Sequence, residues 1–173
     1  MTLPGCVATR LTGLPPLIAP HTRVLILGSF PGTASLAAQQ YYGHPRNHFW
    51  PLIQAIWPDC PYGYCSSSYE YRSNWLLEKG VGLWDVYASC ERTGSLDAHI
   101  RQPQVNDLAG LHNQLPQLQA IAHNGGESYR HRRHTQALGM PVYRLPSSSP
   151  ANASWRFERK LAAWRVLEKH AAP

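Results

Sequence analysis

The chain has 173 residues, of which 43% are hydrophobic and 15% are charged. This length suits one domain with a buried core, and the composition excludes an intrinsically disordered chain. No apolar run approaches the roughly 18 residues of a membrane span, and the N-terminus lacks the charged and apolar regions of a signal peptide. We therefore expect a single domain over residues 1–173, a cytoplasmic location and reduced cysteines.

The first half of the chain predicts a strand followed by two helices. The apolar run RVLILGS at 23–29 indicates a buried strand. The segment NHFWPLIQAIW at 47–57 places its apolar residues on one helical face, and Asn47 is a favourable N-cap for that helix. After a loop rich in Pro, Cys, Tyr and Ser, the segment 69–80 indicates a helix closed by Gly80.

The second half alternates further strands and helices. The apolar segment 81–89 fits either a short strand or a packed turn. Beyond it the pattern predicts helices at 106–115, 127–139 and 154–171, strands at 118–126 and 140–145, and a polar loop at 146–154. Such alternation with short connections indicates an α/β fold with a parallel sheet covered on both faces.

The net charge of +6 is concentrated towards the C-terminus. Residues 128–173 hold nine Lys/Arg and two Glu, a balance of +7, whereas residues 1–127 hold seven basic and eight acidic residues, a balance of −1. Thirteen of the sixteen basic residues are Arg, whose guanidinium group suits bidentate contact with phosphate. This pattern fits either a polyanion-binding surface or a soluble protein rich in surface arginine.

The four cysteines give no pattern of a metal site. They are Cys6, Cys60, Cys65 and Cys90, and only Cys60 and Cys65 are close together. No histidine completes a zinc-finger spacing, and no iron–sulfur spacing is present. We therefore expect free thiols and neither a metal nor another cofactor.

Three polar stretches follow predicted strands, where ligands bind in open parallel sheets. They span 28–47, 124–126 and 146–154. GSFPG in the first is neither a Walker loop nor a dinucleotide fingerprint, and each stretch alone fits a plain turn or capping loop. Together they supply aromatic faces, amide side chains and hydroxyls near helix N-termini. This combination suits a flat heteroaromatic base and its flanking phosphates.

Four segments together resemble the uracil-DNA glycosylase superfamily, most closely its hypoxanthine-DNA (deoxyinosine) glycosylase branch. They are LGSFPGTASLAAQQYYGHPRNHFW, GVGLWDVYASCERTGSLDAHI, AHNGG and LPSSSPANA, and the resemblance covers about residues 14–170. It implies a three-layer α/β/α sandwich around a small, mainly parallel sheet. It also implies a monofunctional glycosylase that flips a deaminated base out of DNA and hydrolyses its N-glycosidic bond without a cofactor.

The resemblance assigns the catalytic position to Asn47, in the segment HPRN. Many relatives carry a water-positioning Asp or Asn in the Gly-x-x-Pro turn, at the position where this chain has Phe30. Phe30 can neither accept a proton nor orient water, and the hypoxanthine branch resembles this chain in using the later Asn. An amide is too weak a base to take a proton outright, but it can orient a water beside an oxocarbenium-like sugar. The alternative role for Asn47 is to cap the next helix.

The resemblance also implies base-binding residues. Tyr42 aligns with an aromatic residue that stacks on the flipped base, an interaction of about 1–3 kcal/mol per base. Asn124 aligns with an Asn that reads the base edge, and its amide matches the lactam shared by hypoxanthine and uracil. Phe30 is expected to narrow the base pocket. The alternative for Tyr42 is a plain core or surface tyrosine. The alternative for Asn124 is a turn asparagine before Gly125 and Gly126.

The segment SSSPANA corresponds to the loop that presses on the DNA backbone and minor groove. Many relatives begin this loop with a His that stabilises the leaving base, and this chain has Ser147 there. Ser148 and Ser149 are expected to bind phosphates. Ala151 or Asn152 takes the place of the wedge that enters the duplex, and such a small wedge gives weak help with base extrusion.

The expected partner is double- or single-stranded DNA containing a deaminated base, bound by a monomer. Arg46 and His44 are candidates for phosphate contacts or for structural roles. Because a His at Ser147 would suit a uracil anion, its absence favours hypoxanthine over uracil. Two other functions remain open: a nucleic-acid-binding protein of this fold with weak or no activity, and a hydrolase of small nucleotides.

Overall fold

The computed structural model describes residues 9–63 and 68–173. Cys6, Cys65 and part of the loop predicted before residue 69 lie outside the described residues. The strands are β1 (Arg10–Thr12), β2 (Val24–Gly28), β3 (Val81–Asp85), β4 (Tyr87–Glu91), β5 (Arg101–Val105), β6 (Ala120–Asn124) and β7 (Val142–Leu145). The α-helices are α1 (Thr33–Ala38), α2 (Phe49–Ile56), α3 (Tyr69–Glu78), α4 (Leu111–Gln114), α5 (Gly126–Tyr129), α6 (Arg132–Gln136) and α7 (Phe157–Trp164), with 3₁₀ turns at Asp97–His99 and Arg165–Lys169.

A four-stranded parallel sheet forms the centre of the fold, in the order β3-β2-β6-β7. Every residue of β2, β3 and β6 is buried, as expected for a parallel sheet covered on both faces. Alternate residues of β2 enter two separate cores. Val24 and Ile26 pack with residues of α2, α3 and α7, whereas Leu25 and Leu27 pack with α4 and β4. This arrangement confirms the predicted α/β/α sandwich.

A second sheet, antiparallel in the order β1-β4-β5, extends from the first. The segment 81–89, for which a strand and a turn were equally compatible with the sequence, holds β3 and the start of β4, separated by Val86 alone. The backbone N–H groups of Val86 and Tyr87 donate to the carbonyls of Gly28 and Ser29 at 2.8 and 3.0 Å. The crossing from one sheet to the next therefore holds the turn that follows β2.

Two predicted helices are shortened or divided. In 106–115 only α4 is α-helical, because the Asp107 carboxylate accepts a hydrogen bond from the Gly110 N–H at 3.0 Å and forms a turn there. The predicted helix 127–139 is divided into α5 and α6. The buried His123 ring lies between Ser128 and Thr135, at 2.7 and 2.9 Å, and so ties both pieces to β6.

The other two corrections concern helix ends. The predicted helix 154–171 consists of α7 followed by the 3₁₀ turn Arg165–Lys169. α2 begins at Phe49 with His48 at the N-cap position, one residue later than predicted, while the Asn47 side chain accepts the capping hydrogen bond from the Phe49 N–H at 2.9 Å. Across the described ranges, no helix has the length and apolarity needed to cross a membrane.

Candidate functional site

The polar site lies at the carboxyl edge of the parallel sheet, where β2, β3 and β6 end at Gly28, Asp85 and Asn124. Gly28 pairs with Asp85 across the β2–β3 ladder. A Cβ atom on Gly28 would collide with Oδ1 of Asp85 and would lie 3.4 Å from the Tyr42 hydroxyl. Only glycine therefore lets these two side chains approach the end of β2.

A bidentate pair joins Asn124 to Ser148. The Asn124 Nδ2 group donates to the Ser148 hydroxyl at 2.9 Å, and the Ser148 N–H donates to Asn124 Oδ1 at 2.9 Å. The Ser148 carbonyl in turn accepts from the His48 N–H at 2.9 Å. Ser148 is only 1% exposed, so its hydroxyl positions Asn124 in this structure. The Asn124 amide keeps one N–H and one lone pair for a ligand edge.

Asn47 lies immediately before this junction and is half-buried. Its Oδ1 accepts from the Phe49 N–H at 2.9 Å, and its own N–H donates to the His44 carbonyl at 2.9 Å. These bonds fix the orientation of the amide at the start of α2. The second Oδ1 lone pair and the Nδ2 hydrogens have no partner among the described residues, so the amide can still orient a water.

Tyr42 forms the aromatic wall of the site. Its backbone has a φ of +55°, a conformation uncommon for a residue with a side chain. One face of its ring stacks on Phe49, with ring centroids 4.0 Å apart and planes 15° apart. Its hydroxyl is buried without a hydrogen-bond partner in the described part of the chain. Burial, with a further contribution from the Asp85 carboxylate, raises the pKa of Tyr42 and keeps the phenol neutral.

Asp85 is a site residue that our sequence analysis did not identify. It is 5% exposed, and its Oδ2 has no hydrogen-bond partner within residues 9–63 and 68–173. Burial raises the pKa of Asp85 to about 7, the Asp97 carboxylate adds to this rise, and Arg92 opposes it. The available signal was an acidic residue at the end of the apolar segment GVGLWD. A protonated Asp85 can both donate and accept a hydrogen bond.

Phe30 belongs to the opposite face of the sheet from Tyr42. It is 6% exposed and packs in the core cluster that contains Leu25 and Leu27. The Arg92 guanidinium lies 5.1 Å from its ring centroid and donates to the carbonyl of Pro31. The structure thus fixes the turn around Phe30, and a contact between its ring and a base stays a prediction.

The loop 146–154 folds tightly against the site. The Ser149 N–H donates to the Ser147 hydroxyl at 3.1 Å, and the Asn152 side chain donates to the Ser147 carbonyl at 3.1 Å. Ala151 is exposed at the tip, with its N–H donating to the Ser149 hydroxyl at 3.2 Å. The loop therefore presents Ala151 outwards and holds Asn152 against its own backbone. The predicted DNA contacts of Ser147, Ser148, Ser149, Ala151 and Asn152 stay predictions.

His44 and Arg46 differ in their surroundings. The His44 Nδ1 atom accepts from the Arg46 N–H at 3.1 Å, which gives His44 a structural role in the turn. The Arg46 side chain is exposed, and its predicted phosphate contact is untested. Cys60 and Cys90 are buried free thiols. No cluster of potential metal ligands occurs in the described ranges.

A parallel sheet with amide, aromatic and hydroxyl groups at its carboxyl edge defines an α/β protein with its ligand site at the strand ends. Residues 15–168 match the sequence model of the Uracil DNA glycosylase superfamily. The chain belongs to this superfamily.

Two relatives are named hypoxanthine DNA glycosylase. The Methanosarcina acetivorans protein is 35% identical over 159 residues, which cover 91% of this chain and 98% of the relative. The Methanosarcina barkeri protein is 37% identical over 140 residues, which cover 81% and 87%. The solution NMR structure of a Methanosarcina acetivorans protein proposed to be a uracil DNA glycosylase matches with a TM-score of 0.78 at 34% identity. That match covers 92% of this chain and 99% of the other.

The buried carboxyl group predicts a pH-dependent effect of Asp85→Asn. Because the folded-state pKa of about 7 exceeds the unfolded value of about 3.9, the folded state binds the proton more tightly. Wild-type stability therefore falls as pH rises from about 4 to about 7, by about 1.4 kcal/mol for each unit of pKa difference. Asp85→Asn removes this loss, and we expect a higher melting temperature than wild type at pH 8 but not at pH 4.

The matched control is Asp107→Asn, because Asp107 is exposed and the amide keeps its bond to Gly110. This variant should differ little from wild type at either pH. If Asp85→Asn changed the melting temperature equally at both pH values, the result would contradict a raised pKa for Asp85.

Proposed function

We propose that this protein is a monofunctional DNA glycosylase that removes hypoxanthine from deoxyinosine in DNA and so starts base-excision repair. The observation that carries the proposal is its 35% identity, over 98% of the relative's length, to a protein named hypoxanthine DNA glycosylase. The substrate is DNA with a deaminated base. A monomer acting in the cytoplasm fits this role.

The target base enters the site after it leaves the duplex. We assign its stacking to the face of Tyr42 opposite Phe49, and its edge to the remaining donor and acceptor of Asn124. Phe30 anchors the turn that follows β2, and this turn bounds the pocket for the base. The bidentate bond to Ser148 supports this assignment, because it holds the Asn124 amide in one orientation before a base arrives.

The reaction needs one water and no cofactor. The bond between the sugar C1′ and the base nitrogen breaks, and its electron pair leaves with the base. The water oxygen bonds to C1′, and the proton that the water loses ends on the departing base, which yields an abasic site and the free base. Asn47 orients this water while positive charge develops on the sugar. Its fixed side-chain oxygen supports this role, because a bond to Phe49 already sets the direction of the amide.

The loop and the basic C-terminal quarter provide the DNA contacts in this proposal. Ser147 and Ser149 lie at the base of the loop and Ala151 at its tip, while Asn152 braces the loop from within. Arg46 adds a cation at the neighbouring turn. Ser147 stands where relatives carry a His, so the loop provides no imidazole for a departing anion. We therefore favour hypoxanthine over uracil.

The direct test is a single-turnover assay on matched duplexes that carry either inosine or uracil at one position. We expect an abasic site at inosine, detected as alkali-sensitive cleavage, with weaker or no cleavage at uracil. Robust cleavage at uracil alone would overturn the preference for hypoxanthine. Retardation of the duplex without cleavage would instead identify a binding protein, and hydrolysis of free nucleotides alone would identify a nucleotide hydrolase.

Asn47→Ala should lower the single-turnover rate by about 100-fold, because the attacking water loses its orienting group. The variant also loses the bond to Phe49, which should cost about 1 kcal/mol of stability. The melting temperature and the rate are therefore measured together. Asn113→Ala, at an exposed position of α4, is the control and should keep both values. A destabilised Asn47→Ala variant with full activity would assign only a structural role to this residue.

A further inference from the structure

A second concave site lies beside the first, between the turn before α2, the loop 146–154 and the start of α7. It is a pocket of about 380 Å³. The polar residues that line it are Arg46, His48, Ser149, Asn152, Arg156 and Lys160. Three of these side chains carry a positive charge and none carries a negative charge.

Lys160 is the unusual member of this pocket. Its side chain is 1% exposed, and its Nζ atom contacts the Nδ1 atom of His48 at 3.4 Å. No carboxylate of the described residues lies within ion-pair distance of it. Burial lowers the pKa of Lys160, which reflects the cost of desolvating an ammonium group without a counter-ion. An ammonium group has three donors, and His48 occupies one of them.

His48 supports the ammonium group as an acceptor. Burial, and then the charge of Lys160, lower the pKa of His48, which favours its neutral ring, and Nδ1 of that ring can accept a hydrogen bond from Nζ. The ring edge also packs on Phe157, with centroids 5.5 Å apart. The same residue donates its backbone N–H to Ser148. The pocket is therefore attached directly to the Asn124–Ser148 pair.

The remaining wall of the pocket also favours an anion. Arg46 and Arg156 are exposed and can turn towards a ligand. α7 begins in this wall, and no side chain caps its N-terminus. Glu158, in the first turn of α7, is exposed and does not line the pocket. The pocket thus has buried and exposed cations around a space large enough for a tetrahedral anion.

We propose that this pocket binds a backbone phosphate of the DNA strand that carries the target base, with Lys160 as its buried cation and Arg46 and Arg156 at its rim. The proposal rests on the proposed function for the identity of the ligand. His48 follows Asn47, and Ser149 follows Ser148, so the pocket adjoins the residues assigned to the water and to the base edge. Binding there fixes the strand relative to the amide of Asn47.

The test uses a duplex with a tetrahydrofuran abasic analogue, which cannot be cleaved, and measures affinity by fluorescence anisotropy over a range of salt concentrations. Lys160→Met replaces the buried cation with an apolar side chain of similar length. It should reduce the slope of log K against log salt by about 0.9, the value for one neutralised phosphate. Lys169→Met removes the same charge from an exposed position outside the pocket and should leave the slope at its wild-type value.

Single methylphosphonate substitutions then locate the phosphate. One position near the analogue should weaken wild-type binding and leave Lys160→Met unaffected. The proposal is overturned if the two lysine variants have equal slopes, or if every methylphosphonate weakens Lys160→Met as much as wild type. A third result would also overturn it. In that result inorganic phosphate stabilises the wild type but not Lys160→Met, and yet the salt slopes of these two proteins for DNA binding are equal. Failure of inosine excision would reject the proposed function and leave these binding results interpretable.

Discussion

The bidentate hydrogen bond between Asn124 and Ser148 is the interaction on which the arrangement of the site depends. It joins the end of a central strand to the loop 146–154, and the Ser148 carbonyl extends the connection to α2 through His48. Three segments that are far apart in sequence are thereby held in register. Both bonds are buried, so breaking one leaves an unsatisfied polar group, at a cost of about 1–3 kcal/mol.

The site has two ends that differ in the charge of their side chains. The sheet end contains the buried carboxyl of Asp85, with a pKa raised to about 7 by burial and by Asp97. The α7 end contains the buried ammonium of Lys160 and the exposed Arg46. A nucleotide has the same polarity, with a neutral base and an anionic phosphate. In the function proposed above, the base binds at the end formed by Tyr42, Asn124 and Asp85, and the phosphate binds at the cationic end.

Much of the fold could be predicted, because apolar periodicity reports burial. The apolar run VLILG correctly indicated β2. Gly80, which has a φ of +72°, ends the helical region before β3. The second sheet was missed because β5 has the sequence RQPQV and is exposed throughout, so it carries no burial pattern. The helix predicted over 127–139 is interrupted because tertiary bonds from His123 override local propensity.

The site could be predicted only in part. The resemblance indicated Asn47, Tyr42 and Asn124, and the structure places all three in the segments that meet at the carboxyl edge. The burial of Ser148 was not predictable, because a run of three serines is typical of a solvent-exposed loop. Asp85 and Lys160 were missed for a related reason, since a single charged residue in a sequence gives no sign that it will be buried without an ion pair.

The most direct test of this account compares Ser148→Ala with Ser73→Ala in single-turnover excision of hypoxanthine at saturating enzyme. If the buried Asn124–Ser148 pair assembles the site, Ser148→Ala should lower the rate about 10-fold or more, because small displacements of positioned groups slow catalysis strongly. Ser73→Ala, which removes a buried hydroxyl in α3, outside the site, should stay close to the wild-type rate. A wild-type rate for Ser148→Ala, or an equal loss in both variants, would contradict the account.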